Sequence, residues 1–197
     1  SMIISATGNK LSGELYPFYD PVSPPVELTG NWKIEFIEGG PVLPTPRESG
    51  RLISWTEFGG DDVKNFSGTA RYTINFAMPP GKADAFTLNL GKVCESARIS
   101  LNGREIFLSI GPDHTVTIGK NQLKKMNILT VEVSNLMANR IAYLDRNNVP
   151  WKKFYNINFA ARLKENTKNG IFDASEWPPR ESGLLGPVTI TPVRMRK

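Results

Sequence analysis

A chain of 197 residues with 40% hydrophobic and 22% charged residues has globular composition and enough apolar material for a sizeable core, which excludes a disordered chain. The net charge of +5 comes from dispersed basic residues, apart from Lys124-Lys125, Lys152-Lys153 and the tail Arg194, Arg196 and Lys197, so no nucleic acid partner is expected. Cys94 is the only cysteine, which excludes an internal disulfide, and no apolar run approaches the roughly 20 residues of a membrane span.

Residues 1–27 read as an extended N-terminal arm, because Pro17, Pro21, Pro24 and Pro25 rule out a helix. Tyr16, Phe18 and Tyr19 are its expected anchors on the body, or else a platform for sugar. Ser1-Met2 reads as a cloning remnant, and the parent protein is expected to be longer. Residues 28–197 read as a single β-sandwich. Trp32, Ile34 and Phe36 alternate with Lys33 and Glu35, the period of a half-buried strand. Residues 38–50 form a Gly/Pro loop, and Leu52–Trp55 a short strand. The polar loop Glu57–Asn65 carries Asp61-Asp62, which could hold calcium with backbone carbonyls, but no EF-hand spacing supports a metal there.

The cleanest alternation is Phe66–Phe76, with Ala70, Tyr72, Ile74 and Phe76 on one face. Met78-Pro79-Pro80-Gly81 ends it. Phe86, Leu88 and Leu90 alternate next, Gly91 breaks the run, and Ala97, Ile99 and Leu101 resume it. Asn102-Gly103 marks a tight hairpin, since both residues tolerate positive φ, and Arg104–Leu108 returns. The middle of the chain is therefore expected to be antiparallel β built by hairpins over one apolar face. Thr115–Ile118, Ile128–Ser134 and Gly183–Pro192 supply further strands, with Lys120–Met126 a connector. Residues 135–151 and 160–182 have no strand period and are read as long polar loops, where function tends to reside. Roughly eight to ten short strands with almost no helix give an all-β fold, an antiparallel β-sandwich or jelly roll.

The residues restrict the chemistry. His114 is the only histidine and is flanked by Pro112 and Asp113, the setting of a turn rather than of a catalytic base. One histidine and one cysteine twenty residues apart are too few for zinc. No Gly-rich turn joins a strand to a helix, so no phosphate loop is present. Glu176 and Glu181 flank Trp177 and are the carboxylate pair to watch, although sequence cannot set their separation. No catalytic residue is assigned to this chain. Sugar binding asks for less: an indole to stack on a pyranose, and amides, carboxylates and guanidinium groups for its hydroxyls. Trp55, Trp151 and Trp177 sit at or beside loops rich in such groups, and each could instead plug the end of the sandwich.

The order of several short motifs resembles a known family: Leu28-Thr29-Gly30-Asn31-Trp32, Phe66–Tyr72, Leu88–Val93, Ala97 to Leu101-Asn102-Gly103, Asn127–Val133 and Ser182-Gly183-Leu184-Leu185-Gly186-Pro187-Val188. Together they resemble the sugar-binding, galactose-binding-like jelly-roll domain of glycoside hydrolase family 2. They are most similar to the C-terminal β-sandwich of family 106 α-L-rhamnosidase-like enzymes, including the segments Asn135–Arg140 and Trp151. Lys125-Met126 replaces the glycine usual before Asn127, so that turn is expected to differ. The resemblance implies a non-catalytic module excised from a larger polysaccharide-degrading enzyme, in the periplasm or outside the cell. Its implied partners are carbohydrate and a catalytic barrel domain, with no membrane and no cofactor. The implied carbohydrate-binding residues are Trp151, Trp177, Arg180, Glu176, Glu181, Asn139 and Arg140. An autonomous carbohydrate-binding module and a purely structural domain remain the alternatives.

Overall fold

The computed structural model describes residue 8 and residues 17–152 and 163–196. Tyr16, Lys153 and Lys197 lie outside the described residues. The strands are β1 (Tyr19–Pro21), β2 (Val26–Glu27), β3 (Trp32–Gly40), β4 (Arg47–Ser49), β5 (Ser67–Ala77), β6 (Ala85–Asn89), β7 (Lys92–Cys94), β8 (Ser96–Leu101), β9 (Arg104–Ser109), β10 (Thr115–Gly119), β11 (Met126–Ser134), β12 (Thr167–Lys168), β13 (Ile171–Phe172), β14 (Gly183–Gly186) and β15 (Thr189–Met195). Among the described residues two short α-helices interrupt them, α1 (Asp61–Lys64) and α2 (Ala138–Arg146).

One sheet has six strands in the order β4-β3-β5-β11-β8-β9; the other runs β1-β15-β6-β10, with β2 also on β15. Every pairing between named strands is antiparallel. The alternation read from the sequence explains why the sheets close on each other. Ala70, Tyr72, Ile74 and Phe76 of β5 and Leu129, Val131 and Val133 of β11 are buried. They form one core cluster with Phe86, Leu88, Ile118 and Ile190 of the other sheet. On the outer face Arg71 and Glu132, directly opposite in register, join through Nε and Nη2 at 3.0 and 2.8 Å. The fold is an all-β antiparallel sandwich.

Several local expectations change: β4 falls within the loop read over 38–50, α1 within Glu57–Asn65, and β12 and β13 within 160–182. The runs Phe86–Leu90 and Ala97–Leu101 are not hairpin partners: β6 and β8 belong to opposite sheets, and the chain crosses between them through β7, which pairs with β14. Leu52–Trp55 is not a strand; Trp55–Glu57 is a 3-10 turn capped by the Ser54 hydroxyl, which places the whole indole inside. Residues 135–151 are not a plain loop, because α2 occupies their centre. In the described part of the arm, residues 17–27, the strands β1 and β2 add to β15 by backbone pairing, while Phe18 is 59% exposed. The Asn102-Gly103 hairpin forms as expected, with φ of 53° and 84°.

Candidate functional site

The site end of the sandwich is built on a buried polar knot. Ser182, 1% exposed, donates its N–H to Ser54 Oγ at 2.9 Å, and its carbonyl accepts from the Trp55 N–H at 3.0 Å. Its hydroxyl donates to the Arg180 carbonyl at 3.1 Å and accepts from Asn135 Nδ2 at 2.9 Å. Asn135 follows β11 and also takes the Gly68 N–H on Oδ1 at 2.9 Å. Asn139, on the first turn of α2, clamps Arg180 from both sides: Oδ1 accepts its N–H at 2.8 Å and Nδ2 donates to its carbonyl at 3.0 Å. Buried amides and hydroxyls need such partners, and here they fix the loop before β14 to α2.

The outer end of α2 carries an aromatic rim. Asp145 is buried, and its carboxylate gathers three donors: the Trp151 indole N–H at 2.7 Å, the Ala174 N–H at 2.8 Å and Lys152 Nζ at 3.0 Å. Phe172 sits edge-on between the two tryptophans, its centroid 6.2 Å from Trp151 and 5.8 Å from Trp177. Lys152 Nζ lies 5.9 Å from the Phe172 centroid, close enough for a cation–π attraction. The Trp177 indole donates to Asn166 Oδ1 at 2.9 Å. Both indoles are half-buried, so part of each surface faces solvent with its orientation fixed. Asp145, Trp151, Lys152 and Asp173 line a pocket of about 300 Å³. Hydrogen bonds from the Ser175 hydroxyl and N–H hold Asp173 below the usual carboxylate range.

The structure thus brings Trp151 and Trp177 into one cluster and joins Asn139 to the Arg180 backbone. Glu176 and Arg180 are exposed on the Trp177 loop. Glu181 ion-pairs with Lys92 of β7, whose pKa rises through that bond. Arg140 is turned toward β3, its guanidinium lying where a Cβ on Gly40 would be. Trp55 is fully buried and takes the plug role, in edge-on contact with Phe36 and Phe66. His114 is buried with Nδ1 bonded to Ser109 Oγ at 2.8 Å, and burial pushes its pKa down. Among the described residues no group of three or more His, Cys, Asp or Glu could hold a metal ion, and no helix is long and apolar enough to cross a membrane. Sequence reasoning did not single out Asp145, Lys152 or Phe172 as site residues. A carboxylate six residues before a tryptophan was the available signal for Asp145.

Two antiparallel sheets closed over one core, with an aromatic rim braced by a polar knot, define a β-sandwich domain, and the proteins similar to it are glycoside hydrolases. The rhamnosidase from Novosphingobium sp. PP1Y superposes with a TM-score of 0.64 and 26% identity, over 94% of this chain and 16% of that one. A putative beta-glucuronidase of Formosa agariphila is 27% identical over 186 residues, which is 86% of this chain and 16% of the relative. The FMN-binding beta-glucuronidase from Facaelibacterium prausnitzii L2-6 shares the fold, with a TM-score of 0.52 at 15% identity over 87% of this chain and 23% of that one. No protein-family model matches the chain. The chain spans about 16% of the length of the first two relatives.

Proposed function

We propose that this chain is a non-catalytic accessory domain of a glycoside hydrolase, exported with its parent, which packs beside a catalytic domain and helps to hold the carbohydrate substrate. One observation carries the reading: nearly the whole chain corresponds to a small part of a much larger rhamnosidase. The rim supplies the contact. A pyranose ring stacks on the exposed part of Trp177, with Trp151 at the edge of the same cluster, while Arg180 and Glu176, on the same loop as Trp177, meet its hydroxyls. Asn139 acts behind them by holding the Arg180 backbone.

The test is steady-state kinetics of the parent hydrolase with Trp177→Ala. Stacking lost equally from ground and transition states raises KM about tenfold and leaves kcat unchanged. An unchanged KM would overturn substrate contact by the rim. A collapse of kcat with KM held would show instead that this segment carries chemistry.

A further inference from the structure

A second cleft borders α2, with a lining separate from that of the rim pocket. It measures about 440 Å³ and lies between α1 and the last turn of α2, walled by Asp61, Lys64, Asn65, Tyr143, Arg146 and Pro179. Pro179 belongs to the same loop as Trp177 and Arg180, so one loop borders both cavities. We propose that this cleft is a saccharide subsite for a carboxylate-bearing sugar, a uronate unit of the glycan whose neighbouring units cross the rim. The proposal rests on the carbohydrate-binding reading above.

The cleft has the parts such a ligand requires. Arg146 is held in place: its Nη2 donates at 2.8 Å to Oδ1 of Asn65, a buried residue whose own Nδ2 is fixed on the Asp61 carbonyl at 2.8 Å. A guanidinium braced in this way keeps further donors for a carboxylate without an ordering cost. Lys64 adds a second cation on the other wall. Among the described residues neither Lys64 nor Arg146 has an ion-pair partner, and Asp61 is within ion-pair reach of neither. The cleft therefore offers two cations against one separate carboxylate. An anion takes the first two, and Asp61 accepts hydroxyl protons. Tyr143 is half-buried and Pro179 exposed; between them they present apolar surface for the C–H face of a sugar ring. The clamp of Asn139 on Arg180 steadies the loop on which Pro179 stands.

The experiment is affinity electrophoresis of the full chain through gels containing polygalacturonate or the same polymer after reduction of its carboxyl groups. The expected result is stronger retention by the acidic polymer. The double variant Lys64→Ala, Arg146→Gln loses that excess, weakening the apparent affinity about tenfold, and still matches the wild type on the reduced polymer. A double variant Lys82→Ala, Lys125→Ala removes the same charge from the far end of β5 and keeps the excess. Equal losses in the two double variants would show a diffuse charge effect and overturn the subsite. Equal retention of wild type by both polymers would overturn it too. The rim is read separately, by Trp177→Ala on the reduced polymer: loss there with no acidic excess rejects the subsite alone, whereas no loss there rejects the rim.

Discussion

Gly183 adopts a φ of 101°, where an L side chain is strained, and it is also crowded. A Cβ there would stand 2.3 Å from the Tyr72 hydroxyl and 2.8 Å from the Trp55 ring. Both are core groups without room to retreat: Trp55 and Tyr72 are fully buried, and burial pushes the tyrosine pKa up. The first residue of β14 thus has to be glycine for Ser182, one position earlier, to enter its knot. Gly183→Ala is expected to destabilise the fold by about 3 kcal/mol, as backbone strain and overpacking add. Gly103→Ala provides the comparison, with a φ of 84° but open space around the Cβ position, and is expected to cost about 1 kcal/mol. Urea unfolding of the two variants checks the difference, and equal midpoints would remove the steric half of the account.

At the scale of elements, strands with one buried face were legible and the helix at the site was not. In β5 and β11 the inward set is apolar along most of each strand, with buried Ser67 and Asn127 only near their starts, so alternation alone marked both strands and their faces. In α2 the buried residues are Asn139, Ala142 and Asp145. Their spacing is helical, but two of the three are polar and face inward because the knot and the rim need an amide and a carboxylate there. An apolar stripe at period 3.6 is the signal sequence reading depends on, and buried hydrogen-bonding side chains have replaced it here. Trp55 misled for a related reason: Leu52–Trp55 has strand composition, yet Ser54 caps a 3-10 turn that drops the indole into the core. The rim tryptophans were legible because they lie in long polar segments, whereas the carboxylate that orients Trp151 looked like any loop aspartate. The clamp predicts a consequence at this scale. Asn139→Ala strips the partner from the Arg180 N–H and leaves its carbonyl only the Ser182 hydroxyl, and is expected to cost about 2 kcal/mol. Amide hydrogen exchange at Arg180 and Glu181 should accelerate while the core of β5 and β11 stays protected. Unchanged exchange at Arg180 would mean that Ser182 alone holds the loop.

Over the whole molecule, the distribution of strands between sheets is what periodicity could not reveal. Period 2 states which side of a strand is buried, and both sheets bury toward the same core, so β6 and β8 carry the same pattern from opposite layers. The N-terminal arm depends on that layering as well. β15 has β6 on one side, and β1 and β2 cover its other side. The cover extends past the short strands, with the Val22 N–H donating to the Pro192 carbonyl at 3.0 Å and the Arg196 N–H to the Phe18 carbonyl at 2.7 Å. Asp20 closes the edge through an exposed ion pair with Arg196, and such a pair adds little by itself. The backbone pairing matters more, because without it β15 offers a row of free donors and acceptors beside the exposed Met195. Removing residues 1–22 is therefore expected to lower stability by about 2 kcal/mol through the lost backbone bonds and to make the protein self-associate as its concentration rises. Light scattering and urea unfolding on the shortened chain give the answer. A monomer with an unchanged midpoint would show that the arm merely rests on the sheet, whereas association relieved by adding back a peptide of residues 17–27 would show that pairing along β15 is what the arm supplies.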